Sequence, residues 1–382
     1  MNREEWIKFA KAQNQRDCDL LIRSYDTLMA NIYETEGYLW SPYRCISPGK
    51  RNFTGIWNWD SAFHAIGVSH FDTKLAKENI IGFLKFQRND GLLPDVIWEN
   101  GDIVDTFTKP PVFPYAVEQI YKRDKDIKFL KEVYPHLALN ERFWKEQRFY
   151  QGLFHYDADN KEATDYITRV KYESGWDNSP RFDNEITDLW PVDLNCFMVL
   201  FYQSMAFIAN ELKLDADKAK WSLREKELTE LIKKYMWNKE NGFFSDVNKF
   251  TKKNSEVLTP ASFMPLFIEI ASGEQAEDMA LIAQTRFKSK MPTVTYDHPA
   301  YSTDYWRGPT WLNVAYFAAK GLKNYNCDVA NQIKENILEM CDAQKEGIYE
   351  NYDSLTGKGL CCDHFSWSSA FIIEFILNFN RQ

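Results

Sequence analysis

The sequence predicts an all-α chain whose helices form two concentric rings. Three observations carry that prediction. Helical segments of two contrasting kinds alternate along the chain, no Pro/Gly/Ser-rich linker or low-complexity tract divides it, and one short motif recurs between the segments. The 382 residues fall within reach of one large domain, so the whole of 1–382 reads as a single catalytic-sized unit.

Segments of the first kind are amphipathic and heavily charged. Residues 215–234, DADKAKWSLREKELTELIKK, are more than half charged, with apolar residues at helical spacing. Similar stretches lie near 15–34, 73–88, 126–149, 274–288 and 327–344. The second kind is almost uncharged. Residues 193–211, DLNCFMVLFYQSMAFIANE, carry charge only at the ends, and similar stretches lie near 59–70, 112–122, 259–272, 309–322 and 364–378. A helix apolar on every side has to be enclosed by protein, whereas a charged amphipathic one shows a face to water. Alternating the two kinds gives an inner and an outer ring, which is an (α/α)6 toroid. The recurring motif is Gly, two bulky apolar residues and a polar end: GLFHYD (152–157), GFFSD (242–246), GIYENYD (347–353) and a weaker GLLPD (91–95). These predict short extended or hairpin pieces gathered at one end of the barrel.

Composition narrows the function. A net charge of −9 argues against a nucleic-acid partner and gives no support for an anionic membrane surface. No window of 18 uncharged apolar residues suggests a membrane span. The N-terminus, MNREEWIKFAKAQNQRD, is charged throughout and does not read as a secretory signal. Seven irregularly spaced Cys suit buried, reduced thiols, so a cytoplasmic location is expected and the sequon Asn52-Phe53-Thr54 carries no meaning. With 13 Trp, 20 Tyr and 27 Phe, the chain has ample material for walls around a small polar ligand as well as for core.

The unusual loops each precede an inner helix: GIWNWDSAFH (55–64), TFTKPPVFPY (106–115), ESGWDNSPRFDNE (173–185), TPASFMP (259–265), STDYWRGPTW (302–311) and YENYDSLTGKG (349–359). In a toroid those helix ends meet around one funnel, which would gather Trp57, Trp59, Asp60, Trp176, Asp177, Asp304, Trp306, Arg307, Trp311, Glu350 and Asp353. The sequence has no GxGxxG or GxxxxGK[ST] phosphate loop, no CxxC or HExxH zinc motif and no GxSxG elbow. DADNKEATD (157–165) lacks the Gly and terminal Glu of a calcium loop and reads as a solvated turn. No cofactor or metal is therefore expected.

Paired carboxylates among aromatics suit cleavage of a glycosidic bond. One carboxyl stays protonated to help the leaving oxygen depart; the other is ionised to activate water or attack the sugar. Burial beside Trp176 would raise the pKa of Asp177, which makes it the candidate acid. The candidate base faces it from the last loop, as Glu350 or Asp353. At the position of Glu350 the other copies of the motif carry His155 and Ser245, so the scaffold does not itself require an acid there. Asp60 suits either a helix N-cap or a grip on a sugar hydroxyl pair, Arg307 either substrate or an ion pair with Asp304, and Glu173 a role in orienting its loop.

ESGWDNSPR, YSTDYWRGPTWLNVAYF, GIYENYD and WNWDSAFH together resemble segments of glycoside hydrolase family 63 and its relative family 37, the trehalases, from about residue 50 to residue 378. The resemblance implies an (α/α)6 barrel and hydrolysis of small α-linked glucosides or mannosides with inversion and without a cofactor. It implies Asp177 as general acid and Glu350, rather than Asp353, as general base. Trehalases carry Arg-Ser-Gln before their Pro-Pro where this chain has TFTKPP, and the chain has no room for the N-terminal β domain of the large N-glycan-trimming members. The short bacterial members, some of which cleave glucosyl- or mannosylglycerate, are the better likeness, with Lys109 a candidate partner for an aglycone carboxylate. The expected partner is thus a small carbohydrate held by Trp57, Trp59, Asp60, Lys109, Trp176, Asn178, Trp306, Arg307, Trp311 and Trp367. Two rival readings remain: a sugar epimerase of the N-acylglucosamine type, whose acid and base would have to come from His64, His298 and His364, and a sugar-binding protein without catalysis.

Overall fold

The computed structural model of the chain describes residues 1–380; the last two residues of the expected domain lie outside the described residues. After a short α1 (Arg3–Ala10), the helices run α2 (Gln15–Ala30), α3 (Asn58–Val68), α4 (Thr73–Leu84), α5 (Phe113–Asp124), α6 (Ile127–Gln147), α7 (Tyr166–Ser174), α8 (Val192–Glu211), α9 (Asp215–Tyr235), α10 (Met264–Phe267), α11 (Gly273–Thr285), α12 (Leu312–Asn324), α13 (Val329–Ala343) and α14 (Ser366–Leu377). The inner ring closes on itself: α3 packs on α5, α5 on α8, α8 on α10, α10 on α12, α12 on α14, and α14 back on α3. Outside it, α4 bridges α3 and α5, α6 bridges α5 and α8, α9 lies on α8, α11 and α13 lie on α12, and α2 lies on α14. This is the (α/α)6 toroid.

Burial follows the charge pattern that predicts it. Every residue of α3 is buried, whereas α9 buries only Trp221, Leu228 and Ile232. Gly67 lets the inner ring draw tight, since a Cβ there would lie 2.5 Å from Cβ of Ala370 on α14. Among the described residues, one helix is long and apolar enough to cross a membrane, Val192–Glu211, and 89% of its most apolar window is buried inside the protein. It is the inner helix α8.

The expected helix over 259–272 is the one that shortens, to a 3-10 turn at Pro260–Phe263 followed by α10. Pro260 and Pro265 lack the N–H that a continuous helix needs, and Glu269, at φ +61°, ends the run. The predicted hairpins form at Phe149–Tyr150 with Leu153–Phe154, at Trp237–Asn238 with Phe243–Phe244, and at Asn351–Tyr352 with Gly359–Leu360. GLLPD is not itself a strand; it leads into Val96–Trp98, the middle strand of a three-stranded sheet with Gly55–Trp57 and Ile103–Val104.

The two ends of the ring are unequal. Inner helices pass to outer ones through 69–72, 125–126, 212–214, 268–272 and 325–328. Outer helices return to inner ones through 31–57, 85–112, 148–191, 236–259, 286–311 and 344–365. All the long segments lie at the N-terminal ends of the inner helices, and their side chains furnish the site.

Candidate active site

Asp177 lies just past the C-terminus of α7. The helix stops at Gly175, which takes φ +73° and sits against Trp59; a Cβ there would lie 2.4 Å from the indole ring. The fit of Gly175 under Trp59 sets where Trp176 and Asp177 emerge. Behind the turn, Glu173 is fully buried and forms an ion pair with Arg148, at 2.9 and 3.1 Å, while accepting hydrogen bonds from the backbone N–H groups of Thr108 and Asp157. It thereby ties its own loop to TFTKPP and GLFHYD, the orienting role expected of it. The segment has more helix than its sequence suggests, because α7 runs up to Ser174.

Glu350 arrives from the last long connection and is buried. Its Oε1 accepts from the Tyr305 hydroxyl at 2.9 Å, and its Oε2 from the Cys362 N–H at 3.4 Å. Burial pushes its carboxyl up to about 7; the Tyr305 hydroxyl and the Cys362 N–H pull it down, and the charge of Asp177 pushes it further up. Asp177 is itself raised above the usual carboxylate range by burial, against the pull of Lys109. Asp60 joins them: burial raises it to about 8, Lys109 opposes, and Asp95 and Glu350 add to the rise.

A cavity of about 630 Å³ opens at Asp177, lined among others by Asn178, Asp304, Tyr305 (the partner of Glu350), Arg307 and Cys361. One segment, 302–311, spans it. On one side Asn178 accepts from Trp306 N–H at 2.8 Å and donates to Asp304 at 2.9 Å, while Arg307 forms a two-pronged pair with Asp183 and donates to the Asn178 carbonyl. On the other side Thr310 and Tyr352 exchange backbone hydrogen bonds, at 2.7 and 3.0 Å, and Tyr305 reaches Glu350.

Beneath lies a chain of indoles. Trp306 stacks on Trp311 at 3.9 Å, with Trp176 beyond Trp306 at 4.9 Å; Trp367 meets both Trp311 and Trp59 at 5.5 Å. All five are buried, and Trp57 is the half-buried member, edge-on to Trp98. Trp367 Nε1 is buried and has no hydrogen-bond partner among the described residues.

Several expectations change. Arg307 pairs with Asp183 rather than Asp304, because Asn178 occupies Asp304. Asp353 serves its own hairpin turn, accepting from Leu355 N–H, Thr356 N–H and the Thr356 hydroxyl, and so does not face Asp177. Asp60 is not the N-cap of α3; that position is Trp57, and Asp60 stands in the first turn. Lys109 is buried and engaged with Asp95 at 3.2 Å and with the Tyr172 carbonyl, its charge facing Asp177 and Asp60. It neutralises the acids rather than standing open to an aglycone. Asp157, in the stretch read as a solvated turn, is buried and bonded to Tyr166. The histidines do not gather: His64 is buried within α3, His298 bonds to Ala300 N–H, and His364 lies beside Asp363.

Two residues escaped the sequence reading. Tyr305 sits inside the segment singled out, but nothing in DYWRGPTW tells which ring turns toward Glu350. Asp95 has a signal in hindsight, because it ends a copy of the recurring motif. The four copies each deliver a carboxylate, and three are matched by cations: Asp95 by Lys109, Asp157 by Lys161 and Asp246 by Arg181. Glu350 has no ion pair among the described residues.

A helical toroid whose long-loop mouth holds desolvated, mutually repelling carboxylates against aromatic walls has the build of a glycosidase. Residues 54–368 match the model of the mannosylglycerate hydrolase MGH1-like glycoside hydrolase domain, and the chain belongs to that family. It is 23% identical to a mannosylglycerate hydrolase of Rubrobacter radiotolerans, over 86% of this chain and 92% of that one. It is 24% identical to a periplasmic trehalase of Escherichia coli, over 91% and 70%. The crystal structure of a family 63 mannosylglycerate hydrolase from Thermus thermophilus in complex with Tris and D-glycerate has the same fold, with a TM-score of 0.80 at 21% identity, covering 93% of this chain and 99% of that one.

Proposed function

We propose that the protein is an inverting, exo-acting hydrolase of small α-glycosides, releasing glucose or mannose, with Asp177 as general acid and Glu350 as general base. One observation carries the reading: two carboxyls from distant loops, both raised by burial, are joined through the segment 302–311, where Tyr305 bonds Glu350 and Trp306 bonds Asn178, the residue after Asp177. Protonated Asp177 gives its proton to the glycosidic oxygen as the bond to the anomeric carbon breaks. Water adds to that carbon from the opposite face and passes a proton to Glu350. Inversion of this kind needs about 6.5–9.5 Å between the carboxyl groups, room for that water.

Asp60, buried and facing the charge of Lys109, is the group to hold hydroxyls of the terminal sugar. Trp57 and the buried indoles Trp59, Trp176, Trp306, Trp311 and Trp367 flank it, and Trp367 Nε1 is a donor for the same purpose. Asn178 and Arg307 shape the rim. The relatives named mannosylglycerate hydrolase make mannosylglycerate the first substrate to try, with glucosylglycerate and trehalose beside it. Seven unpaired Cys fit action in a reducing compartment, the cytoplasm.

The test is a panel of α-mannosides and α-glucosides assayed for new reducing sugar. Release from at least one supports the reading. Isomerisation without release would favour an epimerase, and saturable binding without any conversion would favour a binding protein.

A further inference from the structure

Among the described residues Glu350 forms no ion pair, so its carboxylate is placed by neutral donors, and the shorter of the two bonds comes from Tyr305. We propose that Tyr305 is the positioning residue of the general base, its hydroxyl fixing the Glu350 carboxylate toward Asp177; the proposal rests on the acid–base reading above.

The backbone at Tyr305 is unusual. It takes φ +45°, the left-handed region, which a bulky side chain seldom adopts and which persists where surrounding contacts over-determine it. Those contacts are present. The Tyr305 carbonyl accepts from Trp311 Nε1 at 2.9 Å, and its ring packs edge-on against the Trp311 indole at 4.9 Å. The next residue, Trp306, donates its N–H to Asn178. The left-handed turn therefore sends Tyr305 inward, toward the last long loop, while its neighbours are fastened to the loop of Asp177.

The connection gives the segment 302–311 a mechanical purpose. Asn178 is the residue after Asp177, and Trp306 is the residue after Tyr305. One hydrogen bond, from Trp306 N–H to Asn178 Oδ1, thus joins the carrier of the acid to the holder of the base. The Thr310–Tyr352 backbone pair fixes the same segment to the strand that follows Glu350. Acid, spacer and base form one hydrogen-bonded arc, and among the described residues Tyr305 is the side chain that bonds the Glu350 carboxylate. A neutral O–H suits this position. It favours the ionised carboxylate without the deep drop in basicity that a Lys or Arg would impose.

The test is Tyr305→Phe, which keeps the ring on Trp311 and removes the hydroxyl. Loss of a donor to the ionised form raises the pKa of Glu350, so the acid limb of the kcat/KM profile should move to higher pH. At the wild-type optimum kcat should fall about 10- to 100-fold, the usual worth of a hydrogen bond to a charged group, with KM changed far less. A purely structural role would lower the melting temperature and leave the acid limb in place. Glu350→Gln is measured alongside. If it abolishes turnover while Tyr305→Phe shifts neither limb nor kcat, this proposal fails and the acid–base reading stands. If Glu350→Gln keeps most activity, that reading fails first and Tyr305 has no base to position.

Discussion

Both mouths of the ring are made by the same six inner helices, yet the larger cavity lies at the end away from the candidate acid and base. At the C-terminal ends a space of about 1220 Å³ is lined by residues such as His70, Tyr115, Arg123 and Lys320. Behind its lining residues His70 and Asn378, the buried Glu374 accepts from Tyr316 at 3.2 Å and Asn378 at 2.8 Å and pairs with His70 at 2.5 Å. Burial acts to raise that carboxyl, but His70 and Arg123 prevail and hold it below its ordinary value. At the N-terminal ends the cavity is about half as large; Asp177, which lines it, is held above its ordinary value, as are the buried Asp60 and Glu350. What separates Glu374 from Asp60, Asp177 and Glu350 is a direct ion pair: His70 meets Glu374, and none of the other three has one among the described residues. A carboxyl paired in this way is an element of structure. An unpaired one stores protonation free energy that a reaction can draw on.

The connections explain how this division arises. Short turns at the C-terminal end leave little chain to vary, whereas the long segments at the other end are free to bring unlike side chains together. Helix capping follows suit. Four of the outer helices, α2, α4, α6 and α11, are capped by Asn14, Asp72, Asp126 and Ser272, and outer α9 and α13 are not, while the inner helices α3, α5, α8, α12 and α14 start at Trp57, Val112, Pro191, Trp311 and Phe365 without a side-chain cap. Uncapped N-termini converging on the funnel present a positive potential to the carboxylates gathered there.

The contrast is broken most directly by removing one acid from each mouth. Asp177→Asn should lower kcat by about 10³-fold or more with the fold intact. Glu374→Gln should leave kcat nearly unchanged and cost about 3 kcal/mol of stability, because it uncouples a buried ion pair; chemical denaturation and initial rates read the two effects separately. Gly175→Ala comes next. Its Cβ meets the Trp59 ring at 2.4 Å on a backbone with φ +73°, so a loss of about 1–3 kcal/mol and a drop in kcat as Asp177 shifts are expected.

Titration sharpens the contrast further. Glu350 has to be ionised to accept a proton and is raised to about 7, so kcat/KM should fall as pH drops through that value. Asp60 acts on stability in the opposite direction. Its folded pKa of about 8 lies above the unfolded carboxylate range, so native protein loses stability as pH rises from about 4 toward 8. Asp60→Asn removes that loss, and its melting temperature should exceed wild type by a margin that widens across the same window, while activity declines. The smallest effect belongs to Arg307→Ala. Its pair with Asp183 is partly exposed, and about 0.2–1 kcal/mol is expected from such a bridge, with a several-fold change in kcat through the loosened Asn178 contact.

The rings were legible in the sequence because solvent imposes a simple rule: α9 shows charge outward and α3 shows none, and the periodicity records it. The one misjudged inner helix, 259–272, has a core-like composition but two prolines, and the backbone requirement overrode the pattern. The mouth was legible as an inventory, since Trp176, Asp177, Trp306 and Glu350 all lie in loops preceding inner helices. Pairings within it were not. Whether Arg307 takes Asp183 or Asp304 depends on where Asn178 points, and whether Lys109 faces a ligand or Asp95 depends on a burial that no local pattern encodes.

Anomer-resolved proton NMR of the first minutes of hydrolysis tests the central claim most directly. Acid and base on opposite faces of the sugar predict that an α-glycoside yields the β-anomer first, with the α-anomer growing in only by mutarotation. An α-anomer formed first would mean that a carboxylate attacks the sugar itself, and Glu350 could not then be the base that activates water.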